Sequence, residues 1–390
     1  MFTVLRSRRK AITGLAALAA SIALAACEPL PSSRAPALDA GAPVPVALIL
    51  PSGSGNSGDE VLARNLKQAA DLAIADLQGV KIDLRVYSAG ADPGTSAAMA
   101  RKAVDEGAKI ILGPVFAEAA NAAGVAVAGD GVNVLSFSNN TEIAGGNVFV
   151  LGPTFQNTAN RLTRYAARSG KNRIMVVYDQ TPAGQLGLRA IESAAARSGA
   201  SIAGTATYEF SQQGVINAAP QIAAQAKGAG ANAVFFTADT AGALPLLARL
   251  LPDAGLSSQS AQFVGLTRWD IPSATLSIPG VQGGWFALPD PGLSGAFQQR
   301  FAAAYGEAPH PIAGLAYDGI AAIGALVKQG NAKALSASSL TQGQGFAGVT
   351  GVFRLLPDGT NERGLAVAQI QNAQVVVIDP APRSFGGAGF

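Results

Sequence analysis

Val44-Pro-Val-Ala-Leu-Ile-Leu50, Pro51-Ser-Gly-Ser-Gly-Asn-Ser-Gly58 and the stretch from Asp59 to Leu77 follow one another directly and set the reading of the chain. The first is a short apolar run, the second a Gly/Ser loop. In the third, apolar residues recur at helical spacing from Glu60 onward. Strand, loop and helix make one unit, and the unit repeats. Lys81 to Tyr87 alternates as a strand does, Thr95 to Glu106 reads as helix, and Lys109 to Leu112 is a compact buried strand. Ala117 to Ala128 is helical again, followed by strands at Val132 to Ser136 and Val148 to Leu151.

A second cycle opens after Gly152-Pro153. Helices are expected at 157–169, 184–198 and 216–227, and strands at 173–178, 201–210 and 231–237. Alternation of this kind implies right-handed crossovers and parallel sheets covered on both faces. Two such series imply two lobes. The remainder is less regular: an extended piece at 281–289, helices near 294–305 and 312–329, then strand-rich pieces at 348–356 and 364–378. Extended segments returning at the end fit a chain that crosses between lobes more than once. The expected fold is therefore α/β, two doubly wound parallel-sheet lobes joined by a multi-crossing hinge. The expected lobes are 44–150 plus 281–335 and 151–280 plus 336–383, with a flexible tail at 384–390.

The other end of the chain is a leader. Arg6, Arg8, Arg9 and Lys10 precede an alanine-rich apolar run, and Leu24-Ala25-Ala26-Cys27 ends it as a lipoprotein box would. Residues 1–26 read as a signal peptide, Cys27 as the lipidated residue, and 27–43 as a Pro/Ala/Ser-rich flexible tether. Cys27 is the only cysteine, which excludes internal disulfides and cysteine-based chemistry in the folded body. The chain carries 28 Lys and Arg against 25 Asp and Glu. Four of those bases and none of the acids lie in the leader, so the body is nearly neutral and no nucleic-acid partner is expected. The membrane contact expected is through lipid on Cys27, which places the protein in the periplasm on a bacterial membrane.

Chemistry is sparsely supplied. Gly53-Ser-Gly55-Asn-Ser-Gly58 spells a dinucleotide fingerprint, but the next strand ends in Tyr87-Ser88 where an acid should hold the ribose. It reads instead as a loop facing a cleft. His310 is the sole histidine, between Pro309 and Pro311, which leaves little for a metal cluster or a Ser-His-Asp triad. No cofactor and no catalysis are expected; binding is.

Several motifs resemble a known group: Pro51-Ser-Gly after its strand, Ile111-Leu-Gly113-Pro114-Val-Phe, Val134-Leu-Ser136-Phe-Ser138-Asn139-Asn140, Val176-Val-Tyr178-Asp179 and Leu315-Ala-Tyr317-Asp318. Together they look like the type I periplasmic binding proteins of the Leu/Ile/Val-binding class, over about 44–380. The resemblance implies two lobes that close on a ligand. Gly283-Gly-Trp-Phe286, Phe346-Ala-Gly-Val-Thr-Gly-Val-Phe353 and Glu362-Arg-Gly-Leu-Ala-Val367 look most like lipoproteins known as penicillin-binding protein activators. That implies a peptidoglycan synthase, a penicillin-binding protein, as partner. A helical-repeat domain at the start of the best-known activators has no room in the tether here.

The competing reading is a receptor for amino acids or a related small anionic ligand, whose partner is an ABC permease. By the class's motif, Ala117 falls where a serine hydroxyl is expected, Ser138 and Asn140 supply polar contacts, Asp239 falls near an expected tyrosine, and Thr267 or Arg268 near an expected acid. Arg268 beside an ammonium is repulsive, by roughly 1 kcal/mol in a solvated site, which disfavours an unmodified α-amino acid and suits another anion. Open parallel sheets bind at the carboxyl ends of their strands. The cleft residues expected on that basis are Ser52, Ser54, Ala117, Ser136, Ser138, Asn139, Asn140, Asp179, Asp239 and Arg268.

Overall fold

The computed structural model describes residues 35–386. The expected signal peptide, Cys27, the start of the expected tether and the last four residues lie outside that range.

β1 (Val44–Leu50) explains its own unbroken apolar run. Val46, Leu48 and Leu50 point into one core with Leu66, Phe301 and Ile323, while Ala47 and Ile49 point into a second core with Ala100 and Ala123. Side chains alternate along a strand, so one covered on both faces has no polar side. With β2 (Ile82–Ser88), β3 (Ile110–Leu112), β4 (Asn133–Ser136) and β5 (Val148–Val150) it forms an all-parallel sheet in the order β2-β1-β3-β4-β5. α1 (Ser57–Asp76), α2 (Pro93–Asp105) and α3 (Ala117–Val127) are the crossovers. α1 starts before the expected Glu60 because Asn56 caps it, accepting from Gly58 N.

The second series repeats the winding. α4 (Phe155–Arg168) opens with a reciprocal capping box between Thr154 and Asn157. β6 (Arg173–Asp179), α5 (Pro182–Ser198), β7 (Ser201–Tyr208), α6 (Gln212–Gly228) and β8 (Ala233–Phe236) follow. Two elements were not legible in the sequence. α7 (Leu244–Asp253) carries Pro245 and Pro252 at its two ends, and β9 (Gln262–Gly265) is only four residues long. After β10 (Trp285–Leu288), the parallel part reads β7-β6-β8-β9-β10, the same order as the first sheet.

The chain then returns to the first core with α8 (Pro291–Tyr305), α9 (Gly314–Val327), the short α10 (Ala337–Leu340) and a small antiparallel sheet of β11 (Phe346–Gly348), β12 (Gly351–Leu355) and β13 (Asn361–Arg363). It ends in the second sheet with the antiparallel hairpin β14 (Ala366–Gln371) and β15 (Gln374–Asp379).

Two expected boundaries therefore move. Residues 281–288 belong with the second sheet, because Trp285 and Phe286 pair in parallel with Val264 and Gly265. Residues 336–363 belong with the first lobe, because Leu340, Phe346, Phe353 and Leu355 are buried in its core. The lobes are joined by three crossings, at 151–154, 289–290 and 364–365.

Side chains tie the crossings together. Asn361 Nδ2 donates to the Val150 and Gly152 carbonyls at 2.6 and 2.9 Å, and Arg363 donates through Nε to the Leu151 carbonyl at 2.9 Å. Arg363 also meets Asp318 at 3.2 Å, a carboxylate with no exposed surface that further accepts from Val349 N at 2.8 Å and from the Thr350 hydroxyl.

Candidate functional site

Both sheets reverse strand order beside their first strand, and both aim their carboxyl ends at the gap between the lobes. On the hinge side of that gap are two adjoining cavities, of about 440 and 270 Å³. They share Arg268, Ile271, Leu288, Pro289, Pro311 and Thr350. The smaller one adds Phe155, Leu266, Ile312, Leu315 and Leu365, so its wall is largely apolar, with Asn139, Thr154, Thr158 and Arg363 as polar groups.

Arg268 is half-buried and pre-oriented. Its Nε donates to Asp270 Oδ1 at 2.6 Å and its second arm donates to Asp270 Oδ2, a bidentate fork that leaves the remaining N–H groups of the guanidinium unused. Asn139 is exposed and lines the smaller cavity from the first lobe. Of the ten expected residues, these two line the cavities.

The others occupy the strand-end loops, and most of their polar groups are engaged locally. Ser136 Oγ donates to the Pro114 carbonyl at 3.0 Å and accepts from Ser138 N at 3.1 Å, and Ser138 Oγ accepts from Asn140 N at 3.1 Å. This ladder, with Asn140 Oδ1 accepting from Glu142 N at 2.9 Å, holds the 136–141 loop against the Gly113-Pro114 turn. Gly113 itself has φ of +83° and a Cβ there would lie 2.2 Å from the Ile49 carbonyl oxygen, so only glycine fits. Ser52 Oγ donates to Ser88 Oγ at 2.7 Å, and Ser54 Oγ to Asp59 Oδ2 at 2.8 Å. Ala117 is the first residue of α3.

In the second lobe, buried Asp179 accepts from Thr181 N at 2.9 Å and from its hydroxyl, and Thr181 in turn caps α5. Asp239 is exposed and accepts from Gly242 N. At the same strand ends lie buried Tyr208, beside Asp179, and buried Thr237, whose Oγ1 has no hydrogen-bond partner among the described residues. Burial, with the neighbouring Asp179 charge behind it, pushes the Tyr208 phenol well above its ordinary range. Trp269 and Trp285 are core residues of the second lobe.

The shared cavity residues that sequence reasoning missed, Ile271, Leu288, Pro289, Pro311 and Thr350, come from the end of β10 and from loops around 271, 289, 311 and 350. The one signal pointing to them was the pair of Pro-X-Pro stretches at 289–291 and 309–311, which mark irregular backbone. His310 lies in the second stretch and lines the larger cavity; burial lowers its pKa below the usual histidine value.

A family model described as periplasmic binding protein matches residues 43–374. The chain belongs to that family. Among solved structures, a putative branched-chain amino acid ABC transporter from Rhodospirillum rubrum superposes with a TM-score of 0.73 at 18% identity, over 86% of this chain and 100% of the other. An ABC transporter substrate-binding protein from Desulfitobacterium hafniense in complex with Leu gives 0.64 at 18% identity, over 86% and 100%. A solute binding protein of an ABC transporter from R. palustris in complex with benzoate gives 0.58 at 18%, over 90% and 99%. At such identities these likenesses establish the fold. No curated protein sequence matches the chain. Among the described residues no group of His, Cys, Asp and Glu is placed to hold a metal, and no helix is long and apolar enough to cross a membrane.

Proposed function

We propose that this periplasmic binding protein is the solute receptor of an ABC importer and takes a small carboxylate, with an apolar body, between its lobes. The observation that carries the reading is Arg268. It is a cation fixed by Asp270 on the wall shared by two cavities whose other walls are mainly apolar. A charge-assisted bond from such a group contributes about 1.5–3 kcal/mol, and the apolar wall contributes by area. Fold relatives in complex with leucine, benzoate and 3,4-dihydroxy benzoic acid all hold carboxylates, which supports the class.

As the lobes close, the loops bearing Ser52, Ser54, Ala117, Asn140 and Asp239 approach the ligand from either side. The partner in this reading is a permease. A penicillin-binding protein partner, implied by the finer sequence resemblance, has no counterpart among the compared structures named above. Anchoring through lipid on Cys27 keeps the receptor beside its permease.

The test is thermal unfolding of the body from residue 44 in the presence of benzoate, 3,4-dihydroxybenzoate, leucine and unbranched fatty acids. A ligand at a hundred times its Kd stabilises by about 2.7 kcal/mol. The expected result is a rise in melting temperature with at least one carboxylate, absent with the corresponding amide and absent in Arg268→Ala. If no carboxylate raises it, or if the rise survives in Arg268→Ala, the reading fails.

A further inference from the structure

We propose that the hinge carries a second site, on the side facing away from the cleft, for a small zwitterion bearing both an ammonium and a carboxylate. A cavity of about 380 Å³ lies there. The first crossing lies between it and the cleft, and Thr154 of that crossing lines both cavities. On α4, Phe155 and Thr158 line the cleft cavity while Gln156 and Asn160 line this one. With 3.6 residues per turn, those pairs sit on opposite faces of the helix. On β13, Arg363 lines the cleft cavity while Asn361 and Glu362 line this one.

Three groups in its wall lack the partners their chemistry calls for. Arg197 donates to Ser193 Oγ at 2.7 Å and Asn160 Oδ1 at 2.8 Å, both neutral, and no carboxylate among the described residues pairs with it. Asp358 accepts from Thr360 N at 2.9 Å and Thr360 Oγ1 at 2.6 Å and pairs with no cation among the described residues. Glu362, by contrast, is already matched by Arg354. The third group is Asn361, 4% exposed, whose amide nitrogen is used by the hinge and whose Oδ1 has no hydrogen-bond donor among the described residues. An unpaired cation, an unpaired anion and a buried acceptor lining one water-accessible cavity fit a ligand of both charges. Its carboxylate meets Arg197, and its ammonium meets Asp358 and supplies the donor Asn361 lacks.

Arg197 belongs to the second lobe, and Asp358 and Asn361 to the first-lobe side of the hinge, so the ligand bridges the lobes. Closing the cleft about the crossings spreads this rear face. Ligand in the rear site therefore holds the cleft open and weakens cleft binding, and cleft ligand weakens rear binding by the same factor. That antagonism rests on the solute-receptor reading; occupancy of the rear site does not.

The experiment is calorimetric titration of the body from residue 44 with glycine, L-serine and glycine betaine, with methylammonium and acetate as single-charge probes. Arg197 is exposed, and Asp358→Asn retains the oxygen that accepts from Thr360, so both variants fold. We expect a primary-amine zwitterion to bind and the single-charge probes not to. Arg197→Gln and Asp358→Asn should each weaken that binding by about tenfold to a hundredfold. Absence of heat with every zwitterion, or binding unchanged in both variants, overturns the proposal. So does binding lost in Arg268→Ala but retained in Arg197→Gln, which would put the zwitterion in the cleft. Failure of the carboxylate panel above would remove the antagonism and leave the rear site standing.

Discussion

Replacing Asp318 by alanine should be among the most damaging single changes in the chain. Its carboxylate has no exposed surface and accepts from Val349 N at 2.8 Å, from the Thr350 hydroxyl and from Arg363 at 3.2 Å. Alanine leaves the Arg363 guanidinium, 7% exposed, with no counter-charge, and leaves the Val349 amide without its acceptor. Removing one partner of a buried pair costs about 3–5 kcal/mol. At about 2–4 °C per kcal/mol for units of this size, the melting temperature should fall by about 6–20 °C. The double change Asp318→Leu with Arg363→Met removes both charges. The Val349 amide and the Thr350 hydroxyl lose their acceptor in both variants. The defect added by Arg363→Met is the Leu151 carbonyl, which loses its donor at about 1–3 kcal/mol, less than an unpaired buried charge costs, so the double variant should be more stable than Asp318→Ala. Urea unfolding followed by circular dichroism and by the two tryptophans, both in the second lobe, measures this and shows whether the lobes unfold together. A loss below about 1 kcal/mol in the single variant, or a double variant less stable than the single, would refute the reasoning.

Gly348→Ala should destabilise by about 1–3 kcal/mol, because its Cβ would lie 2.1 Å from Asp318 Oδ1; Gly343→Ala, with nothing within 4 Å, is the matched control in the same melt. His310 is held below its ordinary pKa by burial, so the unfolded chain binds its proton first as pH falls. Its contribution is complete above about pH 6.5 and lost progressively below it. His310→Gln should accordingly lose less stability than the unsubstituted protein between about pH 7 and pH 5 in paired urea melts; equal losses would show that the ring is not desolvated. On the proposal that Cys27 is lipidated, Cys27→Ser in the full chain should move the protein from the membrane fraction to the soluble periplasmic fraction, since two or more acyl chains at ~0.8 kcal/mol per buried methylene would supply the attachment. Unchanged fractionation would exclude the lipid anchor.

What could be read without coordinates follows from local rules. The Val44–Leu50 run, the alternation of Ile82–Ser88 and the capped helices between them state a parallel sheet covered on both faces, because periodicity and capping act within a few residues. Arg268 was legible as an unusual charge at a strand end. α7 and β9 were not, since prolines and brevity erase the period. Nor was the allocation of 336–363 to the first lobe, because an extended segment does not say which sheet or core will bury it.

Ser136 and Asp318 show where sequence stops. A serine after a strand is equally a ligand contact or a loop brace. Only the position of the Pro114 carbonyl, 22 residues away, decides for the brace. An aspartate in an apolar helix becomes half of a buried pair only when Arg363, 45 residues on, arrives beside it. The sequence alone thus determined the two repeated windings and the near-neutral body. The tertiary structure decided which charges meet and which stay unpaired, because hinge and cleft are built from segments distant along the chain, and the energy of a charge depends on what folding brings within a few ångströms of it.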